Sequence, residues 1–359
     1  MKISDYYTYA PKSKIKAGDA NPNGKYQFYT SSPDESRRCD EYLYDCKAIV
    51  MGTGGSATLH YYDGKFSTST DCLTLIPNEK IRAKYLYYFF LANMDVLEAG
   101  FKGAGLKHTS KGYIDNIEIT KIPSLPSQDK IVNLFDELAL RIEKERRQIE
   151  KLDELVKARF VEMFGGIDLA PQNKEWTKIS DIGEVVSGST PKTSIKEYWN
   201  GNICWITPAE LSNMSGIIYD SKKKITERGK SSCSLRMMPS RTVILSSRAP
   251  IGKVALLGKE MCCNQGFKNI ICNEKVVPEY LYYLLGYNTI FLNSLGRGAT
   301  FKEISKKIVG EIKVPLPAKE LQNQFAVFTR QVDKSKFAVQ KSLEKTQLLF
   351  DSLMQEYFG

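Results

Sequence analysis

The stretch KYLYY at residues 84–88 returns 195 residues later as EYLYY at residues 279–283. At the same offset Lys107 matches Lys302, and Ser110-Lys111 matches Ser305-Lys306. Self-similarity over so long a period indicates that one structural unit is present twice. The sequence therefore predicts a tandem duplication, in which each copy is a globular part followed by a helical part.

A long helix is predicted at the end of each copy. Residues 127–163 contain neither Gly nor Pro, and apolar side chains recur at seven-residue spacing at Phe135, Ile142, Ile149, Val156 and Met163. In residues 318–357 the same spacing places in one register Phe325, Val332, Val339 and Leu353. Heptad stripes are typical of helices that pack against a partner helix.

The two long helices are expected to pack on each other. At a rise of about 1.5 Å per residue, a helix of this length is ~55 Å long. That is too long for a globular domain of this size to bury. We predict an antiparallel coiled coil that serves as a spacer between the globular parts. Two independent bundle helices are the alternative.

The predicted fold class is α+β. Short apolar runs of strand-like composition, such as residues 48–51 and 241–245, alternate with loops rich in Gly, Ser, Thr and Asn. Residues 84–97 and 279–295 are predicted as helices. The predicted boundaries are a first globular domain at 1–124, a first spacer helix at 125–165, a linker at 166–175, a second globular domain at 176–317 and a second spacer helix at 318–359.

The charge distribution favours an anionic partner. The formal net charge is +10. Residues 166–317 hold 21 basic and 13 acidic side chains, whereas residues 1–120 hold 15 and 14. A basic domain beside nearly neutral helices favours contact with nucleic acid. A merely basic surface is the alternative.

Several classes of catalytic site are not predicted. The eight cysteines form no C-x-x-C pair, and the two histidines are His60 and His108, so the sequence favours neither a zinc site nor imidazole catalysis. There is no Walker A motif and no glycine fingerprint of a nucleotide site. We expect no catalytic or metal-ligating residue. With no apolar leader and with reduced cysteines, the expected location is the cytoplasm.

Binding residues are predicted instead in polar loops that recur in both copies. Small hydroxyls, Gly and Lys suit phosphate contacts, while Arg, Asn and Gln pair with base edges. In the first copy the predicted DNA-binding residues are Tyr29, Thr30, Ser31, Gly55, Ser56, Lys65, Ser67 and Lys107. In the second copy they are Thr190, Pro191, Lys192, Arg248, Lys253, Asn264, Gln265, Lys268, Arg297 and Lys302. For any single residue, an ordinary hydrated loop is an equal alternative.

The same loops carry a family resemblance. GSTP at residues 188–191 and YWNGNICW at residues 198–205 resemble the opening of a target-recognition domain from specificity subunits of type I restriction-modification systems. KYQFYTSS at residues 25–32 resembles another variant of that domain. Proline-rich residues 123–126 and 315–317 resemble the entry to the family's conserved helices. The resemblance covers essentially the whole chain.

The resemblance implies a DNA-specificity subunit without an active site of its own. Each target-recognition domain would read one half of a split site in double-stranded DNA. The helices would dock two methyltransferase subunits and, through them, motor-nuclease subunits, with predicted partner-binding stripes at Phe135, Ile142, Ile149, Val156, Phe325, Val332, Val339 and Leu353. S-adenosylmethionine, ATP and magnesium are expected on those partner subunits.

Two other functions remain compatible with these residues. The first is a self-sufficient nuclease or methyltransferase with tandem recognition domains, which would need a catalytic motif that the sequence does not show. The second is a coiled-coil scaffold that binds no DNA, whose affinity for duplex would depend little on salt.

Overall fold

The chain divides into two compact units. The computed structural model describes residues 1–166, 168–233, 235–248, 250–298 and 302–359. The first unit comprises Met1–Gln148 with Val339–Gly359, and the second comprises Ile149–Ala338. Both dividing points fall inside long helices, so each of these helices contributes one part to each unit.

The first unit is built on a six-stranded sheet. Its strands are β1 (Tyr7–Tyr9), β2 (Tyr26–Tyr29), β3 (Arg38–Cys39), β4 (Tyr44–Gly52), β5 (Leu59–Thr68) and β6 (Cys72–Pro77). Their order is β1-β6-β4-β5-β2-β3, and neighbours are antiparallel except the parallel pair β2 and β5. The last five residues of β4 are all buried, because both faces of the sheet are covered there.

Helices cover one face of this sheet. They are α1 (Ala83–Ala92), α2 (Met94–Ala99), α3 (Lys111–Asp115) and the first part of α4 (Leu125–Phe164). Tyr85 and Phe90 of α1 pack with Phe135 of α4 and with Ile49 and Leu75 of the sheet. All five side chains are at most 2% exposed. This cluster holds the long helix against its own sheet.

The second unit has three sheets. Its strands are β7 (Thr177–Lys178), β8 (Gly183–Ser187), β9 (Trp199–Ile206), β10 (Met214–Ile218), β11 (Lys223–Ile225), β12 (Val243–Ser246), β13 (Val254–Leu257), β14 (Cys262–Cys263), β15 (Phe267–Cys272) and β16 (Lys313–Val314). The main sheet has the order β10-β13-β12-β15-β8. A smaller sheet has the order β11-β9-β14, and β16 pairs with β7.

Four helices of the second unit, α7 to α10, repeat those of the first, whereas the described residues of the first unit contain no α-helical counterpart of α5 or α6. The helices of the second unit are α5 (Ile179–Ile182), α6 (Glu227–Ser232), α7 (Pro278–Tyr287), α8 (Thr289–Ser294), α9 (Lys306–Glu311) and the first part of α10 (Lys319–Phe358). By position in the chain, α7, α8 and α9 correspond to α1, α2 and α3. Ser110 and Ser305 cap the first helical turn of α3 and α9 in the same way.

The main sheets also share one topology. The order β8-β15-β12-β13-β10 in the second unit matches β1-β6-β4-β5-β2 in the first. In each matched set of five strands the last pair is parallel and the other pairs are antiparallel. The predicted α+β fold is confirmed, and the repeat seen in the sequence is visible as a repeated sheet. The units differ in β3 and in the sheet of β9, β11 and β14.

The two long helices pair in an antiparallel sense, as predicted. In the first unit the ring centroid of Phe135 lies 5.6 Å from that of Phe358, and Glu145 lies against Ser342. The partner number on α10 thus falls as the number on α4 rises. In the second unit Asp153 pairs with Lys336, and Phe160 contacts Phe325, so the direction is the same.

Most of the heptad stripe is buried within its own unit. Phe135, Ile142, Val156, Phe325 and Val332 are at most 7% exposed. Ile149, Val339 and Leu353 are half-buried. Phe135, Val156, Phe325 and Val332 pack in the hydrophobic cores of their units. The three half-buried side chains keep part of their surface accessible, and partner binding by the stripe stays a prediction.

A charged side chain occupies a heptad position of α4 beside the stripe, seven residues from Leu138 and from Leu152. Glu145 is 9% exposed, and its Oε1 accepts hydrogen bonds from Ser342 Oγ at 2.7 Å and from Arg141 Nε at 3.1 Å. Burial raises the pKa of this carboxyl, but the hydrogen bonds from Ser342 and Arg141 outweigh burial and leave the pKa below its usual value. Glu145 is therefore a partnered charge between the helices.

The helices predicted at 84–97 and 279–295 are each divided in two. The backbone leaves the helical region at Asn93 (φ −112°, ψ 37°) and at Asn288 (φ −110°, ψ 28°). Each side chain donates from Nδ2 to a carbonyl four residues earlier, on Phe89 or Leu284, at 2.8 Å. Asparagine breaks a helix in this way because its amide competes for backbone groups.

Candidate nucleic-acid interface

Three loops of the first unit meet at one place. The Oγ of Ser31 accepts a hydrogen bond from the backbone N–H of Thr53 at 3.1 Å. The N–H of Gly55 donates to the carbonyl of Lys107 at 2.9 Å, and the N–H of Thr109 donates to the carbonyl of Thr53 at 3.1 Å. The glycine-rich loop after β4 is therefore tied to the loops that follow β2 and α2.

The loop after α2 is a short hairpin. The N–H groups of Lys102 and His108 each donate to the carbonyl of the other at 3.0 Å. Gly103 has φ +148°, and a Cβ there would lie 2.9 Å from the Leu106 carbonyl oxygen, so the tip requires glycine. Lys102, Leu106 and Lys107 are exposed.

The second unit contains the same hairpin. The N–H of Arg297 donates to the carbonyl of Glu303 at 3.1 Å, and the return bond is 3.0 Å. These residues stand 195 positions after Lys102 and His108. The N–H of Ile304 donates to the carbonyl of Ser247 at 2.9 Å, which repeats the bond from Thr109 to Thr53. The predicted contact residues Arg248, Arg297 and Lys302 are exposed here.

A carboxylate lies among these basic side chains. Glu303 accepts from Lys268 Nζ at 3.1 Å and from Arg248 Nε at 3.0 Å. Lys268 is only 6% exposed and also donates to Ser247 Oγ at 3.3 Å. Burial raises the pKa of Glu303, but Lys268 and Arg248 outweigh burial and hold the pKa below its usual value. Glu303 is therefore ionised and neutralises part of the basic cluster.

An open groove of about 970 Å³ runs beside this hairpin. Lys268 and Glu303 contribute to its lining, and three exposed cations, Arg297, Lys306 and Lys307, line it as well. A groove lined by several cations attracts an anionic backbone. The groove is confined to the second unit.

A second loop of that unit is held rigidly by two indoles. Trp205 Nε1 donates to the carbonyl of Ser189 at 3.0 Å, and Trp199 Nε1 donates to the carbonyl of Lys192 at 3.3 Å. A Cβ on Gly188 would lie 2.0 Å from the carbonyl oxygen of Asn264, so the chain passes there only as glycine. Asn264 Nδ2 donates to Thr190 Oγ1 at 3.0 Å. Lys192 is left exposed on a fixed backbone.

The turn after β14 joins these loops into one surface. The N–H of Ser247 donates to the carbonyl of Gly266 at 2.7 Å, and the N–H of Ser189 donates to the carbonyl of Cys263 at 3.0 Å. The predicted residues brought together in the second unit are therefore Thr190, Pro191, Lys192, Arg248, Asn264, Gln265, Lys268, Arg297 and Lys302.

Several predicted contact residues face the interior. Tyr29, Thr30 and Ser67 are at most 4% exposed, and Pro191 is buried. Lys253 donates from Nζ to the carbonyls of Pro208 and Leu211, at 3.3 and 2.6 Å, and so fixes a loop. The positions of these five residues suit them to support the surface. The predicted residues that are exposed, Ser31 only in part, remain as candidates for DNA contact: Ser31, Gly55, Ser56, Lys107, Lys192, Arg248, Gln265, Arg297 and Lys302.

Lys65 stands apart from the loop cluster of its unit. It lies in β5 opposite Asp45, with its Nζ 4.6 Å from the centroid of the Tyr42 ring. Sequence reasoning also missed Glu303. The available signal was that Glu303 is the one acidic residue between Arg297 and Lys307.

Comparison with protein families identifies the chain. The family model described as "Type I restriction modification DNA specificity domain" matches residues 1–154 and 171–348. The chain belongs to this family. The resemblance predicted from residues 188–205 is thereby confirmed, and the two matched stretches coincide with the repeat.

Curated relatives in the DNA specificity domain family carry matching names. The specificity subunit of the type I restriction enzyme MjaIX of Methanocaldococcus jannaschii is 45% identical over 177 residues, covering 48% of this chain and 41% of that protein. A type I specificity subunit of Escherichia coli is 25% identical over 275 residues, covering 70% of this chain and 63% of that protein. The chain therefore spans less than two thirds of either relative.

Solved structures show the same fold. The crystal structure of a type I restriction-modification S subunit from M. genitalium aligns with a TM-score of 0.72 at 18% identity, covering 100% of this chain and 95% of that one. A second structure, which concerns complex assembly and conformational transition of the type I restriction-modification system, aligns with a TM-score of 0.50 and is also 18% identical. The alignment covers 100% of this chain and 96% of that one.

Two further properties bear on the site. Among the described residues, no three His, Cys, Asp or Glu side chains converge as a metal site requires. None of the helices in the described part of the chain combines the length and the apolar character that crossing a membrane requires.

Proposed function

We propose that the chain is the DNA-sequence-specificity subunit of a type I restriction-modification complex and binds a bipartite target in double-stranded DNA. The observation that carries this proposal is the repeated loop cluster. The hairpins that follow α2 in the first unit and α8 in the second are each bonded to the loop after a central strand, β4 or β12. Each hairpin bears exposed basic residues, Lys102 and Lys107 in one and Arg297 and Lys302 in the other. Two equivalent basic surfaces suit two half-sites.

Different side chains of these surfaces would contact the phosphates and the bases. Lys107, Lys192 and Lys302 are point charges suited to phosphates, which set register on the duplex. Arg248 and Gln265 have the paired donors and acceptors that distinguish bases in the major groove. Family membership and the names of the relatives support this assignment.

The finer assignments concern partners. The chain would dock two methyltransferase subunits and, through them, motor-nuclease subunits, and those partners would bring S-adenosylmethionine, ATP and magnesium. Because most of the heptad stripe is buried within its unit, we assign docking mainly to exposed apolar residues of the long helices such as Leu140 and Phe337, which are 66% and 70% exposed.

A paired substitution tests the split of labour between the units. Lys107→Ala in the first unit and Arg248→Ala in the second should each weaken binding to one half-site and leave the other unchanged. The measurement is affinity of the full chain, with methyltransferase subunits, for duplexes in which one half-site at a time is randomised. Equal loss at both half-sites in either variant would refute the assignment.

The competing functions are tested with the same protein. Affinity for duplex should fall steeply between 50 and 200 mM salt, by roughly a thousandfold if about six phosphates are neutralised. A scaffold that binds no DNA would show little dependence on salt. Methyl transfer or cleavage by the purified chain alone, given S-adenosylmethionine or magnesium, would instead support a self-sufficient enzyme.

A further inference from the structure

The tip of the first unit's hairpin exposes an apolar side chain between lysines. Leu106 is 70% exposed, although it stands within a hairpin whose two ends are fixed by reciprocal hydrogen bonds between Lys102 and His108. From Gly100 to Lys111 there are three lysines and no acidic residue. Single exposed leucines are common on protein surfaces. Only the position of Leu106 in the fold can therefore indicate a function for it.

The position recurs in the second copy. The residue 195 places after Leu106 is Phe301, again apolar and again followed by a lysine, Lys302. Phe301 lies outside the described residues. The backbone groups of Arg297 and Glu303, which close the second hairpin, form the same reciprocal pair of hydrogen bonds as those of Lys102 and His108. A large apolar residue at equivalent sequence positions of both copies is unexpected if the first hairpin only meets water.

The hairpin also lies beside the candidate contact surface. The carbonyl of Lys107 accepts from the N–H of Gly55, and the carbonyl of Thr53 accepts from the N–H of Thr109. These bonds tie the tip to the loops that carry Ser31, Gly55 and Ser56. A duplex bound at that surface would have the lysines beside its phosphates and the leucine directed at the grooves between them.

We propose that Leu106 is an apolar wedge that enters a base step of the bound duplex, with Lys102 and Lys107 anchoring the hairpin on the flanking phosphates. This inference rests on the proposed function and specifies how the first unit deforms its half-site. Leucine and phenylalanine are among the side chains that unstack base steps, and flexible pyrimidine–purine steps accept them at least cost. The hairpin thus adds shape readout to the polar contacts of the neighbouring loops.

The test compares three variants of the full chain. Leu106→Ala removes the wedge, Leu106→Phe installs the residue found at the matching position of the second copy, and Leu43→Ala is a control. Leu43 lies in the same unit and is 46% exposed; it comes just before β4, whereas the hairpin is bonded to the loop that follows β4. The probe is duplex DNA selected from a randomised library by the unmodified chain, with 2-aminopurine placed at successive steps of the half-site.

The expected result is a loss of about tenfold in affinity for Leu106→Ala, together with loss of the fluorescence rise that marks the unstacked step. Leu106→Phe should keep both, and Leu43→Ala should match the unmodified chain. Unchanged affinity and unchanged fluorescence in Leu106→Ala would overturn the wedge while leaving DNA recognition in place. If the unmodified chain selects no DNA at all, the proposed function itself fails.

Discussion

The charge on Glu303 determines how the basic surface of the second unit is presented. A lysine that is 6% exposed, as Lys268 is, is costly to bury unless its charge is paired. Glu303 supplies that pairing and also holds Arg248 by its Nε. The hydrogen bond to Nε fixes one edge of the guanidinium, and we expect it to orient Arg248 for the base contact proposed above.

Glu303→Gln should destabilise the second unit. The amide keeps the shape of the side chain but leaves Lys268 without a counter-charge, so we expect a loss of about 1–2 kcal/mol at pH 7. The value is at the low end for a buried pair because the Glu303 side chain is 36% exposed. Denaturant unfolding of the full chain measures it.

The effect should depend on pH with a definite sign. Because the folded state lowers the pKa of Glu303, its contribution is complete above the unfolded-state value, about 4.3, and is lost as the pH falls through the lower folded-state value. The difference between Glu303→Gln and the unmodified chain should therefore shrink below about pH 4. A difference that stays constant with pH would refute the ion-pair explanation.

At this scale the sequence predicts loops better than individual contacts. It correctly groups residues 188–192 with Asn264, which are joined through Thr190. It also assigns Lys253 and Ser67 to the surface, yet Lys253 bonds to backbone carbonyls and Ser67 is fully buried. A lysine or a serine looks the same in the sequence whether its side chain is exposed or buried. Only the packing of loops that are distant in the sequence decides between the two environments.

Among the elements, a buried glutamine links α4 to the start of α1 and another links α10 to the start of α7. Gln322 is 0% exposed; its Oε1 accepts from the N–H of Val277 at 2.8 Å and its Nε2 donates to the carbonyl of Pro317 at 2.8 Å. Gln128 makes the equivalent pair of bonds in the first unit. Each glutamine satisfies a free N–H at the start of α7 or α1, which has no intrahelical partner.

Gln322→Leu should cost about 2 kcal/mol of stability. The substitution keeps the side-chain volume but leaves the Val277 N–H and the Pro317 carbonyl buried without partners. The matched control is Gln331→Leu, an exposed position on the same helix, where a change within about 0.5 kcal/mol is expected. Urea unfolding of both variants measures the difference in stability. Equal unfolding midpoints for Gln322→Leu and Gln331→Leu would contradict the role of Gln322 as a cap for the Val277 N–H.

The elements themselves follow closely from sequence pattern. Heptad spacing predicts the long helices to within two residues of α4 and α10 at each end, because no Gly or Pro interrupts residues 127–163. The breaks at Asn93 and Asn288 were not predicted, since the apolar faces continue through both positions and only the local backbone angles end the helix. Domain boundaries at 124 and 317 stay predictions, because the compact units divide within the helices instead.

For the whole molecule, the duplication would explain how one chain addresses the divided target proposed above. Each unit repeats the same five-strand order and the same hairpin, while the loops differ in sequence. Under the proposed function, a repeated scaffold with divergent loops would allow two unrelated half-sites to be read. Each long helix has residues in both units, and we propose that the length of these helices sets the half-site spacing.

Shortening both helices by one heptad should therefore change the spacing of the DNA target. Removing residues 142–148 of α4 with residues 339–345 of α10 deletes facing segments of the first unit, including Glu145 and its partner Ser342, and keeps the heptad register. Seven residues correspond to about 10 Å of helix, or roughly three base pairs of B-DNA at 3.4 Å each. Methylation mapping of cells carrying the double deletion should show the original half-sites about three base pairs closer together. Deleting residues 142–148 alone mismatches the helix pair and should lower the melting temperature and abolish methylation. A double-deletion protein that folds and methylates at the original spacing would show that the helices do not set the distance.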